Sequence, residues 1–254
     1  IGGTTVSFDT PNGFSATEEG IFLENGPDPE LICSPLWIDS IIHEPISGDY
    51  NILIKGKNSL SGNIFELSTP RSSLFQAFPN PLPTELYNKG VETDQKRMKD
   101  VLKYLTKQGT NNILTGCIKL GWHKHEKTGS MNFIHPQYVI GPDKDDLKYL
   151  PVEESVTESN MTKSGSLEEW KVNISFKTKG NPIPQFALGA SFAAPLLELV
   201  NLDGGGFHIY AHSSRGKTIC LQIAASPWGD ATDTAEATKE VYIQRWSSTG
   251  NAIE

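Results

Sequence analysis

No apolar run long enough to span a bilayer, about 18 residues, occurs in this sequence. The most apolar stretch, Phe186 to Val200, is shorter and is broken by Ser191, Pro195 and Glu198. No membrane association is therefore expected. A secretory signal is missing too. The opening Ile1-Gly2-Gly3-Thr4-Thr5 has neither a basic n-region nor an apolar h-region, so the sequons at Asn160-Met161-Thr162 and Asn173-Ile174-Ser175 carry no weight. The chain also lacks an initiator methionine, which points to processing or to a piece of a longer protein. Cysteine is scarce. Cys33, Cys117 and Cys220 are odd in number, far apart and outside any C-x-x-C spacing, a pattern of buried thiols in a reducing compartment, with the cytoplasm expected. Basic charge is not in excess. The net charge of −8 argues against a freestanding nucleic-acid binder, although basic residues gather at Lys96-Arg97-Met98-Lys99 and between Lys119 and Lys127. There is no internal repeat, no low-complexity tract and no H-E-x-x-H.

What is present is a globular composition. A hydrophobic share of 37% in 254 residues can bury a real core in one large domain or two ordinary ones. The texture changes near residue 165. Before it, short β-like segments alternate with Gly, Pro and Asn: Gly20-Ile21-Phe22-Leu23, Leu31-Ile32-Cys33, Ile52 to Lys55 and Asn63 to Leu67 read as strands, with turns at Gly56-Lys57-Asn58 and Ser61-Gly62-Asn63. Thr93 to Gln108 reads as a helix. Met98, Val101, Leu102 and Leu105 form its apolar stripe, Thr93 is the candidate cap, Asp94 suits the first turn and Gly109 ends it. A hairpin is expected through Phe133-Ile134 and Tyr138-Val139-Ile140, then exposed loop from Gly141 to Lys163.

After residue 165 the pattern is that of an α/β unit. Ser166-Leu167-Glu168-Glu169 is a capping box, with Leu167, Trp170 and Ile174 on one apolar face. A second helix is expected from about Gln185 to Leu202, kinked by Pro195. The fold class is α/β, mixed α+β over the whole chain: a β-rich domain over residues 1–164 carrying the 93–108 helix, then the start of a P-loop NTPase domain over residues 165–254.

The sharpest signal lies between Gly205 and Trp228. Phe207 to Tyr210 reads as a short strand, Ala211-His212-Ser213-Ser214-Arg215-Gly216-Lys217-Thr218 as a loop, and the residues after it as a helix with Cys220 or Leu221 and Ala224 on its buried side. A loop at a helix N-terminus offers unpaired N–H groups and the positive end of the helix dipole to phosphate. Gly216 lets the backbone approach, Lys217 supplies charge to the terminal phosphates, and the Thr218 hydroxyl suits Mg²⁺. Gly-Lys-Thr alone is a weak signal, but the flanking strand and helix are those the motif requires. The full pattern has Gly where this chain has Ala211; if that position requires positive φ, Ala costs about 1 kcal/mol there.

Several stretches taken together resemble a known family. They are Leu31-Ile32-Cys33-Ser34-Pro35-Leu36-Trp37, Gly121-Trp122-His123, Ser166 to Trp170, Ser191-Phe192-Ala193-Ala194-Pro195-Leu196-Leu197, Gly205 to Thr218, Ala224 to Gly229 and Arg245-Trp246-Ser247. In this order they are similar to the domain-of-unknown-function family 927, helicase-like proteins of phages, plasmids and genomic islands that are often joined to primase modules. The resemblance implies an ATP- and Mg²⁺-binding core with His212 to Thr218 as its phosphate loop. It also implies DNA as a partner and a ring-like homo-oligomer in the full-length protein. Relatives continue past the equivalent of Ala252 into an apolar strand ending in acidic residues. This chain is accordingly expected to bind ATP without turning it over, the ATPase or helicase activity belonging to the full-length protein.

Other candidates have blander readings. His123, His125 and His135 lack converging partners for a metal and read as exposed hairpin histidines. Trp122 and His123 can stack on bases, but a packed Trp beside a polar edge is the commoner arrangement. Two rivals stand beside the ATP-driven reading: a non-catalytic module in which nucleotide is structural or regulatory, and a DNA- or protein-docking module with a vestigial P-loop.

Overall fold

The computed structural model describes residues 10–75, 79–151, 161, 163–212 and 215–232. They form a mixed α/β fold made of two compact units, residues 1–118 with 143–150, and residues 119–142 with 151–254. The hairpin that starts at residue 119 thus belongs with the later helices.

In the first unit, β1 (Phe14–Ala16), β2 (Ile21–Leu23) and β3 (Glu30–Cys33) make an antiparallel sheet. A second sheet is built from β4 (Leu36–His43), β5 (Tyr50–Lys57), β6 (Ile64–Pro70), β7 (Ile113–Cys117) and β11 (Leu147–Tyr149). Its five strands lie in the order β11-β7-β4-β5-β6. The β4-β5-β6 meander is antiparallel, whereas β7 runs parallel to both β4 and β11. In β4 buried and half-buried residues alternate, the period of a strand with one face in the core. A bulge at Asp39 interrupts its pairing with β5. The freed N–H of Ile38 is taken by the side-chain oxygen of the buried Gln108 at 2.8 Å, so this buried donor is matched.

The turn after β5 is later than the composition suggests. Gly56 lies inside the strand, where a Cβ would meet the Phe65 ring at 2.7 Å. The reversal is made by Asn58, whose side-chain oxygen accepts from the N–H groups of Leu60 and Ser61, both at 2.9 Å, with Gly62 at φ 73.

Helix α1 (Leu82–Asn88) and helix α2 (Met98–Lys107) cover the sheets. Asp94, not Thr93, caps the single 3-10 turn that leads into α2, accepting from Lys96 N; Thr93 instead donates to the Ile32 carbonyl at 2.7 Å. Val101, Tyr104 and Leu105 are buried and join Leu36, Ile54, Leu82 and Leu86 in the main core. The Tyr104 hydroxyl donates to the Leu36 carbonyl at 2.9 Å, and burial pushes its pKa upward.

The second unit contains a small antiparallel sheet, β8 (Gly121–Lys124), β9 (Met131–Ile134) and β10 (Val139–Ile140). The expected hairpin joins β9 to β10. Helix α3 (Leu167–Trp170) opens with the full capping box, Ser166 and Glu169 each satisfying the other's backbone N–H. It passes through a π-helical turn, Lys171–Ser175, into α4 (Phe176–Thr178). Helix α5 (Pro182–Ala193) starts earlier and ends sooner than the apolar pattern suggests. Pro182 fits its first turn, where the missing N–H costs nothing. Pro195 turns the continuation of the helix into 3-10 turns, Ala194–Leu196 and Glu198–Val200, closed by Asn201 at φ 57. Helix α6 (Lys217–Ala225) packs on α5.

One expected element is absent. Phe207 to Tyr210 is not a strand, and Phe207 and Tyr210 are 71% and 86% exposed. Strand backbone needs a ladder partner, and no described strand pairs with this segment. The Phe207 ring rests edge-on against Phe186, centroids 4.8 Å apart.

Candidate functional site

Helix α6 has an unusual entry. Gly216, its N-cap residue, is left-handed at φ 82 and ψ 14, a conformation that a β-carbon disfavours. Its carbonyl accepts the Cys220 N–H at 3.1 Å, while no side chain among the described residues caps the N–H groups of the first turn. These donors and the positive dipole end therefore face the preceding loop. Lys217 is half-buried, and its ammonium folds back over that loop, donating to the carbonyls of Ala211 at 2.8 Å and His212 at 3.0 Å. Thr218, on the first turn, and Arg215, in the loop, are both exposed. Ser213 and Ser214 lie outside the described residues. The structure thus brings Ala211, His212, Gly216, Lys217 and Thr218 to one helix end.

Ala211 carries no left-handed strain, since Asn201 is the only described non-glycine residue with positive φ. The anticipated cost of a β-carbon at 211 therefore does not arise in this conformation. On α6, Cys220 and Ala225 are buried, while Leu221 is 54% exposed and Ala224 half-buried. Of the two residues offered for the buried side, the helix takes Cys220 and leaves Leu221 outside.

The far end of α6 is held by two hydrogen-bond relays that the sequence pattern does not foretell. The Trp170 indole donates to the Ser226 hydroxyl at 2.9 Å, and that hydroxyl donates to the Ile223 carbonyl at 2.8 Å. The Trp228 indole donates to the Ser191 hydroxyl at 2.7 Å, and Ser191 donates to the Ala224 carbonyl at 2.5 Å. The last carbonyls of a helix have no intrahelical partner; here two hydroxyls supply it, and each hydroxyl is fixed by an indole. Phe192 lies edge-on to Trp170 and tilted against Trp228. Partners so far apart in sequence share no local spacing, so only the presence of Trp and Ser in the family-like stretches hints at them.

The histidines do not form a centre. No described group of His, Cys, Asp and Glu could hold a metal ion. His125 is buried, not exposed as expected, with Nδ1 close to Thr128 N and Oγ1 at 3.3 and 3.2 Å. His135 stacks on Tyr138, centroids 4.1 Å apart and planes 13° off parallel, and burial lowers its pKa. His123 keeps a buried Nε2 without a partner among the described residues. Trp122 donates to the Pro195 carbonyl and packs edge-on against Phe133. It is therefore a packed Trp, not a free stacking platform.

A mixed α/β fold with a glycine-entered helix and a lysine folded over the loop before it defines the class of structure. Residues 14–254 match the family Domain of unknown function (DUF927), and the chain belongs to that family. A solved structure described as "SCCmec type IV Cch - active helicase" shares the fold with a TM-score of 0.67 at 17% identity, over 89% of this chain and 43% of that one. The chain thus spans less than half the length of that helicase. No curated protein matches this chain. No helix among the described residues is long and apolar enough to cross a membrane.

Proposed function

We propose that this chain is the nucleotide-binding part of an ATP-driven, helicase-like DNA protein, with residues 211–218 as its phosphate loop. The observation that carries the reading is the end of α6, where a left-handed Gly216 opens the helix and Lys217 folds over the loop carbonyls. In that arrangement an incoming triphosphate replaces the carbonyls as partner of the ammonium, and the α6 N–H groups face its oxygens. Thr218, exposed on the first turn, offers its hydroxyl to Mg²⁺, which would neutralise phosphate charge when bound. Membership of DUF927 and the fold shared with a helicase support DNA as the partner of the longer protein and an oligomeric ring as its working state.

The test is a titration with a fluorescent ATP analogue in the presence of Mg²⁺. Saturable binding, displaced by ATP and by inorganic triphosphate and weakened by EDTA, is expected. Absence of binding would leave a docking module with a vestigial loop as the better reading.

A further inference from the structure

At the opposite end of α6 from the phosphate loop, roughly 14 Å away for nine residues at 1.5 Å each, the second unit contains a cavity of about 480 Å³. That volume lies in the range of small-ligand pockets, about 300–1,000 Å³. Its walls are rings: Phe133 and Tyr138 from the small sheet and its hairpin, Trp170 from α3, Phe192 from α5 and Trp228 after α6. Lys163 stands at its edge, exposed and without a carboxylate partner among the described residues.

We propose that this cavity is a stacking pocket for a base of single-stranded DNA, with the adjoining phosphate held by Lys163. Both indoles are pinned at their N–H groups by Ser226 and Ser191. These bonds hold both rings in one orientation, so less side-chain freedom is lost on binding. The Tyr138 ring, 54% exposed, is held parallel to His135 and extends that platform outward. Flat rings beside a cation are the combination that holds single strands without regard to sequence, because every base offers a π-face and every nucleotide a phosphate. An apolar peptide side chain would fill the rings but leave Lys163 without a counter-charge.

The identity of the ligand rests on the DNA part of the proposed function, not on its nucleotide part. Binding of a fluorescein-labelled oligothymidylate of about 20 nucleotides, longer than the usual site sizes, is measured by anisotropy at low salt. Tyr138→Ala and Lys163→Gln both change exposed side chains, so the fold is retained and circular dichroism confirms it. Each is expected to weaken binding about 5-fold or more, the loss of one stacked base or one phosphate contact. An abasic strand of the same length should bind the unaltered protein as weakly as the thymidylate binds Tyr138→Ala. Equal binding by the variants and the parent, equal binding of the abasic strand, or no binding by the parent overturns the pocket. Repeating the series in Lys217→Ala separates the two sites: the variant effects persist there if the pocket is right, whatever happens to ATP.

Discussion

The ammonium of Lys217 lies 2.8 Å from the carbonyl oxygen of Ala211, six residues earlier in the chain. This bond closes the loop before α6 with the side chain expected to meet phosphate. The backbone of Ala211 is not left-handed, so replacing it by glycine relieves no strain. Ala211→Gly should instead lower stability by about 0.4–1 kcal/mol through the greater freedom of the unfolded chain. Urea unfolding measures this as a lower midpoint with an unchanged slope. A higher midpoint would mean that Ala211 is strained after all.

The relays from Trp228 through Ser191 to Ala224, and from Trp170 through Ser226 to Ile223, make each hydroxyl both acceptor and donor. Ser191→Ala leaves an indole N–H and a helix carbonyl unmatched in a half-buried setting. The expected loss is about 1–3 kcal/mol, and Ser226→Ala should lose a similar amount. Thermal unfolding of both variants checks this. A change within experimental error would show that water replaces the hydroxyls freely.

Burial raises the thiol of Cys33 to about 12 and that of Cys117 to about 11. For each, the folded pKa lies above the unfolded value near 9. The folded state then holds more protons than the unfolded one between those limits. Stability is therefore fully present below pH 9 and falls as pH rises through the folded values, by up to about 1.4 kcal/mol per pH unit for each thiol. Urea midpoints from pH 8 upward should decline in the parent and less steeply in Cys33→Ala, and the native protein should resist alkylation of both thiols at pH 8. Rapid labelling of Cys33 in the folded state would contradict the burial on which this rests.

Much of the architecture can be read from residue pattern because it is local. The α2 stripe through Val101 and Leu105, the Ser166–Glu169 box and the β9–β10 hairpin each rest on spacings of a few residues. Strand β4 is hidden because Asp39 and Ser40 interrupt its apolar run, and only the bulge and the distant Gln108 show why the strand tolerates them. Lys148 is equally opaque to sequence. It reaches Glu66 at 2.7 Å although β11 and β6 are opposite edges of the five-stranded sheet. Edges four strand spacings apart would stand about 19 Å from each other in a flat sheet, so the sheet curls strongly. The Gly216–Lys217 helix entry is legible as a motif, but the Phe207–Tyr210 strand is not realised, because an aromatic run becomes a strand only where other strands pair with it. The indole–serine relays join residues 37 and 56 apart, a separation that carries no periodic signal.

The most direct measurement is isothermal titration calorimetry of ATP with Mg²⁺ into the parent chain and into Lys217→Ala. Among the described residues Lys217 bonds only to exposed loop carbonyls, so the variant should fold as the parent does. The lost charge-assisted contact predicts about 10- to 100-fold weaker binding, with the stoichiometry unchanged. Equal affinities for the two proteins would remove Lys217 from the site and contradict the assignment of residues 211–218 as a phosphate loop.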